Sequence, residues 1–297
     1  MPELMAKTLI AVLIVLLTTH ALPDLVRYRN FSWLRGGQPD SGDAPGERAT
    51  TRTLIVAGIS IVLVALIQAA LHRHWFGLLE LAFMIIVLYL CWGPRDLDAD
   101  IDAVLKAPDS ERRREAAQRL ADGVRESAVP FTAPALVEAS FAAALSRRFG
   151  VLFWFAVLGP VGALAYRLIH LLARAPAFAE VAGKARATLE RAALILDWAP
   201  AHLLAWSLAL VSDFDAIVRA WQDYHRAHGQ GYFTLDLGFL AFIARAGIDA
   251  DVAAGDGGTD SLGDPVAELA DAQTVLRRVL YVWLALIAVI ALGGWAG

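Results

Sequence analysis

The sequence predicts an all-α, polytopic membrane protein: a bundle of about six transmembrane helices with amphipathic cytoplasmic and interfacial helices. Three observations support this fold class. Of the 297 residues, 58% are hydrophobic and only 19% are charged, whereas soluble proteins average about 25% charged residues. The mean hydropathy is +0.53. Several apolar segments reach the roughly 20 residues that a helix needs to cross the hydrocarbon core of a bilayer.

Six apolar segments are predicted to cross the membrane. Four of them contain at most one charged residue each. The other two are marginal, because Lys7 lies in the first turn of one, and Pro200 and Asp213 shorten the other. The most basic loops are predicted to be cytoplasmic, which places both termini outside. The predicted spans are residues 4–22, 53–71, 76–94, 151–172, 198–214 and 279–296.

The polar segments between the spans are predicted to belong to one membrane domain, residues 1–297. Residues 95–150 are expected to form a cytoplasmic helical loop that begins with a solvated acidic face; a magnesium site there is the less favoured alternative. Residues 36–49 are rich in Gly and Pro and are predicted to be flexible. Residues 247–271 are acidic without a basic residue and lack calcium-loop spacing, which predicts a flexible acidic loop.

The composition excludes several classes of function. A net charge of -4 provides no basic surface for nucleic acid. The single cysteine, Cys91, cannot form an intrachain disulfide, and no Cys-x-x-Cys spacing indicates a metal site. The sequence also lacks the glycine-rich phosphate loop of many nucleotide-binding proteins. For a non-catalytic function, no metal and no cofactor are therefore expected.

The predicted ligand site depends on polar side chains within the spans, because an ionisable residue at membrane depth is costly and usually faces protein or a water-filled cavity. On a helical wheel, Arg167 and His170 share a small, polar face. This face is predicted to bind an anionic group, and Tyr166 belongs to the same predicted ligand-binding set. In the alternative, Arg167 extends to the lipid headgroups. The residues of the face are Ala156, Pro160, Ala163, Arg167, His170 and Arg174.

Asp197 is the fourth predicted ligand-binding residue, and it has two interpretations. Residues 178–196 are predicted to form an amphipathic helix at the membrane interface. Asp197 then precedes Pro200 in a sequence suited to the start of a new helix, where it would act as a cap. In the alternative it is a buried partner of Arg167. His202 lies between tryptophans at i−4 and i+4, which predicts an aromatic belt at the interface.

Two blocks of the sequence resemble a known family. VLFWFAVLGPVGALAYRLIHLL and LERAALILDWAPAHLLAWSLAL are similar to the core of the AmpE family, inner-membrane proteins associated with β-lactamase induction in Gram-negative bacteria. The resemblance covers roughly residues 85–225. It implies a multi-pass protein of the bacterial inner membrane that modulates signalling between cell-wall state and β-lactamase expression. The implied ligand is an anionic amphiphile or a peptidoglycan fragment.

The same blocks resemble, more distantly, the CobD/CbiB membrane enzymes, which join an aminopropanol-type group to cobyric acid in cobalamin assembly. Those enzymes have acids just before the first block, whereas this sequence has alanines and the basic pair Arg147 and Arg148. The departure favours signalling over catalysis. In the alternative, the chain is an ATP-dependent ligase of the CobD type that forms an amide bond on a changed substrate. ATP and Mg²⁺ would then be its cofactors, and Glu138 would be the catalytic acid.

The expected partners follow from these interpretations. They are the lipid bilayer, an anionic small molecule or peptidoglycan fragment, and a second copy of the chain. Nucleic acid is not expected as a partner, given the acidic net charge. A third function also stays open, in which the Arg167 face carries or senses an amphiphilic ligand without catalysis.

Overall fold

The regular elements of this chain are helices throughout the part that the structure, a computed structural model, describes. That part comprises residues 2–21, 29, 31–35, 47–73, 77–93, 95–121, 128–174, 178, 181, 183–232, 234–255 and 263–293. One π-helical segment, Leu145–Phe149, joins two of the α-helices. The α-helices are α1 Pro2–Ala21, α2 Glu47–Arg73, α3 Gly77–Cys91, α4 Leu97–Leu105, α5 Ser110–Gln118, α6 Ala133–Ala144, α7 Gly150–Leu158, α8 Pro160–Arg174, α9 Gly183–Val211, α10 Phe214–His228, α11 Gly238–Ala254 and α12 Pro265–Gly293.

Four helical segments among the described residues are long and apolar enough to cross a membrane. They confirm the all-α class and a membrane protein with several spans, whereas the predicted total of about six is not confirmed. Helices α1 and α3 contain shorter apolar stretches, Met5–Thr19 and Gly77–Cys91. The four candidate spans are Thr50–His72, Ala133–Leu158, Gly183–Val211 and Pro265–Gly293.

The chain forms two compact units. The first contains α1, α2, α3, α7 and α8, and the second contains α4, α5, α6, α10 and α11; α9 and α12 contribute residues to both. The first unit is Met1–Arg95, Gly150–Ala193 and Leu284–Gly297, and the second is Asp96–Phe149 and Leu194–Trp283.

Three charged or titratable side chains of the apolar helices in the first unit contact one another. The Lys7 ammonium on α1 donates to the Glu80 carboxylate on α3 over 2.7 Å, and the His72 ring on α2 lies 3.2 Å from the other oxygen of that carboxylate. Glu80 is buried. Because a buried carboxylate is tolerated when it is paired and hydrogen-bonded, Lys7 and His72 explain how this acid fits between apolar helices.

The predicted span 151–172 is not one straight helix, and the prediction was wrong at this point. Helix α7 ends at Leu158, and Gly159 takes a left-handed backbone with φ of 69°. A Cβ atom added to Gly162 would overlap the carbonyl oxygen of Trp154. Residues eight positions apart lie about 12 Å apart along a straight helix. The chain therefore reverses at Gly159, and the helical face drawn through Pro160 is interrupted.

A glutamine from α2 closes this reversal. The Gln68 side-chain nitrogen donates to the carbonyl oxygen of Leu158 over 3.1 Å, and its side-chain oxygen accepts from the backbone N–H of Val161 over 3.1 Å. The end of α7 and the start of α8 each leave backbone groups without a partner inside the helix. One amide side chain thus satisfies a carbonyl and an N–H that are expensive to leave bare in hydrocarbon.

We expect Gln68→Leu to lower the free energy of unfolding by about 2 kcal/mol or more, because each lost hydrogen bond to such a group costs roughly 1–3 kcal/mol. The measurement is thermal unfolding of the detergent-purified protein. Ser60→Ala is the matched control, since the Ser60 hydroxyl only bonds to a carbonyl of its own helix, that of Val56. An equal loss of stability in both variants would contradict this role for Gln68.

The separation between an interfacial helix 178–196 and a span 198–214 was also wrong. Helix α9 runs without interruption from Gly183 to Val211, with Pro200 inside it. Asp197 is therefore not a cap but lies within the helix. Asp213 takes the capping role instead, since its carboxylate accepts from the backbone N–H of Ala216 at the start of α10.

Two predicted loops contain more helix than expected. In the acidic segment 247–271, α11 continues to Ala254, and α12 begins at Pro265. Residues 256–262 of this segment lie outside the described residues. The same holds for residues 36–46 of the predicted Gly- and Pro-rich loop. The described residues of segment 95–150 form α4, α5, α6 and the π-helical segment, which agrees with the predicted helical character. From Ala133 onward, however, it belongs to a candidate span, because its charges are few and its other residues are apolar.

Candidate functional site

A cluster of opposite charges lies in the second unit, where α4 meets the π-helical segment and α12. We call it the charge cluster. Helix α4 supplies three carboxylates and its capping residue Asp96 a fourth. The π-helical segment supplies two guanidinium groups, and α12 supplies an amide and a third guanidinium. Short π-helical segments occur frequently at functional sites. The charge cluster consists of Asp96, Asp98, Asp100, Asp102, Arg147, Arg148, Gln273 and Arg277.

Arg147 is the most enclosed member of the charge cluster. Its side chain is 3% exposed, and the Asp100 side chain is 5% exposed. One terminal nitrogen of Arg147 donates to the Asp100 carboxylate over 2.8 Å. The other donates to the carbonyl oxygens of Arg119 and Leu120 over 2.7 and 3.1 Å. This guanidinium therefore joins α4 to the turn that follows α5.

Arg148 and Arg277 hold the exposed side of the charge cluster. A terminal nitrogen of Arg148 donates to Asp98 over 2.9 Å and lies 3.3 Å from Asp96, while the Arg277 Nε donates to Asp98 over 3.1 Å. Burial raises the pKa of the Asp98 carboxyl, but the charges and hydrogen bonds of the two arginines outweigh it, so the pKa lies below its usual value. Asp98 is thus ionised at neutral pH.

The charge cluster corrects two predictions. The acidic start of segment 95–150 is not simply a solvated face, since Asp100 is buried and paired. The basic pair just before the first sequence block, which begins at Val151, is not without acids either, because α4 supplies carboxylates to Arg147 and Arg148. A sequence search for acids next to that block misses them, since the partners lie about 50 residues away.

The charge cluster does not fit a magnesium–nucleotide site in its present arrangement. Its carboxylate oxygens accept hydrogen bonds from guanidinium, ammonium and amide groups, whereas Mg²⁺ needs carboxylate oxygens directed at the ion. Within the described ranges, three or more His, Cys, Asp or Glu side chains nowhere gather as metal ligands. In this arrangement, the ion pairs of the charge cluster hold its helices in position.

The predicted site residues of α8 lie together in the first unit. Tyr166, Arg167 and His170 are all buried, with Arg167 5% exposed. The rings of Tyr166 and His170 lie 4.2 Å apart, and the Arg174 guanidinium lies 3.4 Å from the His170 ring. Burial of the Arg167 side chain favours contacts with protein over extension to the lipid headgroups.

The remaining two predicted site residues belong to the second unit. Asp197 is buried within α9, and Glu138 is half-buried on α6. The structure therefore brings Tyr166, Arg167 and His170 together on one helix, and it assigns Asp197 and Glu138 to the other compact unit.

An aromatic cavity in the second unit was not predicted as a site. Its volume is about 470 Å³, and it lies between α9, α10 and the segment after α10. Trp221 is its central ring: it stacks on Phe239 at 12°, and its indole nitrogen donates to the His225 ring over 2.9 Å. The only sequence signal was the stripe of aromatic residues on α9, which had been interpreted as an interface belt. The lining residues are Trp198, His202, Trp206, Val218, Trp221, Gln222 and Tyr232.

A second cavity of about 470 Å³ lies at the junction of α9 and α10. It is more polar than the aromatic cavity, since Ser212, Asp213, Asp251 and Arg278 contribute to its walls. Ser212 donates to the Asp251 carboxylate over 3.4 Å, and Asp213 is engaged as the cap of α10. The polar groups of this cavity are thus partly used to hold the helices together.

Comparison with known proteins identifies one family. A family model described as CobD/Cbib protein matches residues 32–231, about two thirds of the chain. The matched region includes α8, the residues that α9 and α10 contribute to the aromatic cavity, and the α4 and π-helical parts of the charge cluster. No curated protein and no solved structure matches the chain. The match supports the relationship to CobD/CbiB, whereas the predicted assignment to AmpE is not confirmed.

Proposed function

The chain belongs to the CobD/Cbib family, and from this premise we propose that it is a multi-pass membrane enzyme of the cobalamin-biosynthesis type, which forms an amide bond on a changed substrate. The observation that carries the proposal is the family match over about two thirds of the chain. The signalling role in β-lactamase induction, which was favoured from the sequence, has no support from these comparisons.

The charge cluster removes the main argument against catalysis. That argument was that arginines replace the acids expected just before the first sequence block, which begins at Val151, and would repel a cationic group. In the folded chain, Arg147 and Arg148 are neutralised by carboxylates of α4. The local charge is therefore balanced, and the departure from the CobD/CbiB pattern no longer favours a non-catalytic protein.

Amide formation needs a base for the amine and a group that holds the acid component. The amine nitrogen attacks the acyl carbon, the bond from that carbon to the leaving group breaks, and the ammonium proton passes to a base. We propose Glu138 as this base, because it is half-buried and lies in the matched region. Arg167 belongs to the other compact unit; its guanidinium is proposed to bind an anionic group through a bidentate contact, as a binding role separate from that of the base.

The location and partners belong to the same proposal. A bacterial inner-membrane location and a homo-oligomeric state would suit a family enzyme with several spans. ATP and Mg²⁺ are the cofactors proposed for the activation of the carboxyl group. The charge cluster does not fit them in its present arrangement, so no catalytic step is assigned to the cluster.

The proposal is tested with the full chain reconstituted in lipid nanodiscs. The protein is incubated with cobyric acid, ATP, Mg²⁺ and a panel of amino alcohols and their phosphates, and the products are analysed by mass spectrometry. We expect a product whose mass equals the acid plus the amine minus one water. If a CobD/CbiB enzyme in a parallel assay forms amides and this chain forms none with any amine, the proposal fails.

Two variants, each lacking one carboxylate, test the proposed role of Glu138. We expect Glu138→Gln to lower kcat by about 100-fold or more, since general base catalysis commonly contributes a factor of 10² to 10⁴. Glu190→Gln is the matched control, because Glu190 is exposed on α9 and its carboxylate accepts from Arg186 one turn earlier on the same helix. Equal activity in Glu138→Gln and Glu190→Gln would remove Glu138 from the reaction.

A further inference from the structure

The second cavity, which we call the polar cavity, lies where the uncharged parts of two candidate spans end. On α9, no Asp, Glu, Lys or Arg follows Asp197 until Asp213. On α12, none follows Arg278 in the described part of the helix. Charged side chains of membrane helices gather near the headgroups, because the hydrocarbon core excludes them. We therefore expect the polar cavity at headgroup depth. It is lined by Val211, Ser212, Asp213, Ala250, Asp251, Ala254 and Arg278.

The Arg278 guanidinium is a charge that the fold leaves available in this cavity. Arg278 lines the polar cavity and is exposed, and within the described part of the chain no hydrogen bond or ion pair engages its side chain. The preceding residue, Arg277, donates instead to Asp98 in the charge cluster. A guanidinium presents a planar fork of N–H donors that matches a phosphate through two bonds. Arg278 therefore suits a phosphate group.

Two carboxylates line the same cavity as Arg278. Asp251 on α11 accepts from the Ser212 hydroxyl over 3.4 Å, and Asp213 accepts from the backbone N–H of Ala216 over 2.7 Å. A carboxylate has about four lone-pair sites, so one such bond does not use up either group. An ammonium carries three N–H donors and a positive charge. It is therefore the kind of group that these two acids would hold.

Opposite charges in the walls of one cavity fit a ligand that carries both charges. We propose that the polar cavity binds the headgroup of an ethanolamine phospholipid, with Arg278 holding the phosphate and Asp251 and Asp213 accepting from the ammonium. A short ethylene link joins the amine to the phosphate ester in this headgroup, so both ends fit within about 470 Å³. The expected headgroup depth favours a lipid over a soluble ester of the same chemistry, such as O-phosphoethanolamine. The site goes beyond the proposed amide chemistry, since it requires no reaction.

The preference among lipids tests the proposal on the full chain, purified in detergent and stripped of lipid. Native mass spectrometry measures the affinity for phosphatidylethanolamine, phosphatidylcholine and phosphatidylglycerol with identical acyl chains. The choline headgroup keeps the phosphate but carries methyl groups instead of N–H donors, and the glycerol headgroup lacks the ammonium. We expect phosphatidylethanolamine to bind about tenfold more tightly than either, since charge-assisted hydrogen bonds are the strong ones. An equal or higher affinity for either of the other two lipids would overturn the proposal.

Two variants assign the two ends of the headgroup. Arg278→Gln should lower the affinity for phosphatidylethanolamine by about tenfold, because the charge-assisted contact with the phosphate is lost. Asp251→Asn should lower the preference for the ethanolamine lipid over the choline lipid, because an amide oxygen attracts an ammonium less than a carboxylate does. An unchanged preference in Asp251→Asn would contradict the ammonium contact.

Arg219→Gln is the matched control for the arginine variant. Arg219 is an exposed arginine on α10 that does not line the polar cavity, so its replacement should leave lipid binding unchanged. The Arg278→Gln protein should stay folded, since no described residue bonds to the guanidinium that it loses. If the two variants bind phosphatidylethanolamine equally well, Arg278 does not hold the phosphate and the proposal fails.

A competition separates the lipid from a soluble ester of the same chemistry. O-phosphoethanolamine is added to protein loaded with phosphatidylethanolamine, and the bound lipid is followed by native mass spectrometry. We expect the lipid to stay bound at an equimolar concentration of the ester, because its acyl chains also bury apolar surface. Displacement at that concentration would overturn the assignment to a lipid. None of these measurements depends on amide-forming activity.

Discussion

Arg147→Ala is expected to be the most destabilising substitution in the second unit. It removes a guanidinium that is 3% exposed and that binds the Asp100 carboxylate and the carbonyl oxygens of Arg119 and Leu120. Breaking a buried ion pair from one side typically costs about 3–5 kcal/mol, because the remaining charge stays buried. We expect a loss of this size in the free energy of unfolding, or failure to recover folded protein.

Two further variants separate this ion pair from side-chain volume. Arg148→Ala should cost less, because its partners Asp96 and Asp98 are 24% and 31% exposed and water can replace the guanidinium. The double variant Arg147→Leu with Asp100→Leu should recover part of the loss, since a well-packed apolar pair can replace a buried ion pair. Thermal unfolding of the wild type, Arg147→Leu, Asp100→Leu and the double variant completes a double-mutant cycle. Strictly additive losses would contradict the pairing.

Gly162→Val is expected to prevent the α7–α8 reversal. A Cβ atom at this position would overlap the carbonyl oxygen of Trp154, which is backbone and cannot rotate aside as a side chain can. Overpacking costs about 1–3 kcal/mol even where side chains can adjust, so a larger loss is expected here. The measurement is the yield of monodisperse protein in size-exclusion chromatography, followed by thermal unfolding.

Gly58→Ala is the matched control for this variant. Gly58 lies on α2, and nothing lies within 4 Å of an added Cβ. Alanine is a better helix former than glycine by about 1 kcal/mol, so this change should be neutral or stabilising. If Gly162→Val folds as well as Gly58→Ala, the two helices do not pack as closely as described.

The sequence was sufficient to predict helices but not their turning points. Apolar runs led to the predicted spans 53–71 and 279–296, since an uncharged run of this length is typical of a membrane span. Residues 53–71, and 279–293 of the second run, belong to candidate spans. The pair Gly159 and Pro160 was visible too, but such a pair is compatible with a kink or with a reversal. The contact between Gly162 and Trp154 distinguishes them, and that contact exists only after folding.

The candidate site was predicted in part for the same reason. Arg167 and His170 were found because they stand out in an apolar helix, and both are buried. The pairing of Arg147 with Asp100 was missed, because 47 residues separate them and no periodicity relates them. The 3.2 Å contact between the His202 ring and the carbonyl oxygen of Tyr232 spans 30 residues and depends on α10, a helix that the sequence analysis did not predict.

The order in which the charge cluster is synthesised has a consequence for insertion into the membrane. The α4 carboxylates leave the ribosome before Arg147 and Arg148, so each arginine of the candidate span Ala133–Leu158 finds its acid already made. Gln273 and Arg277, which also hold Asp98, follow more than a hundred residues later, a delay on the order of ten seconds at about 5–20 residues per second. During that interval Asp98 of the nascent chain can pair with Arg148 but not yet with Arg277. The charge cluster is therefore complete only once α12, which forms the last candidate span, has been synthesised.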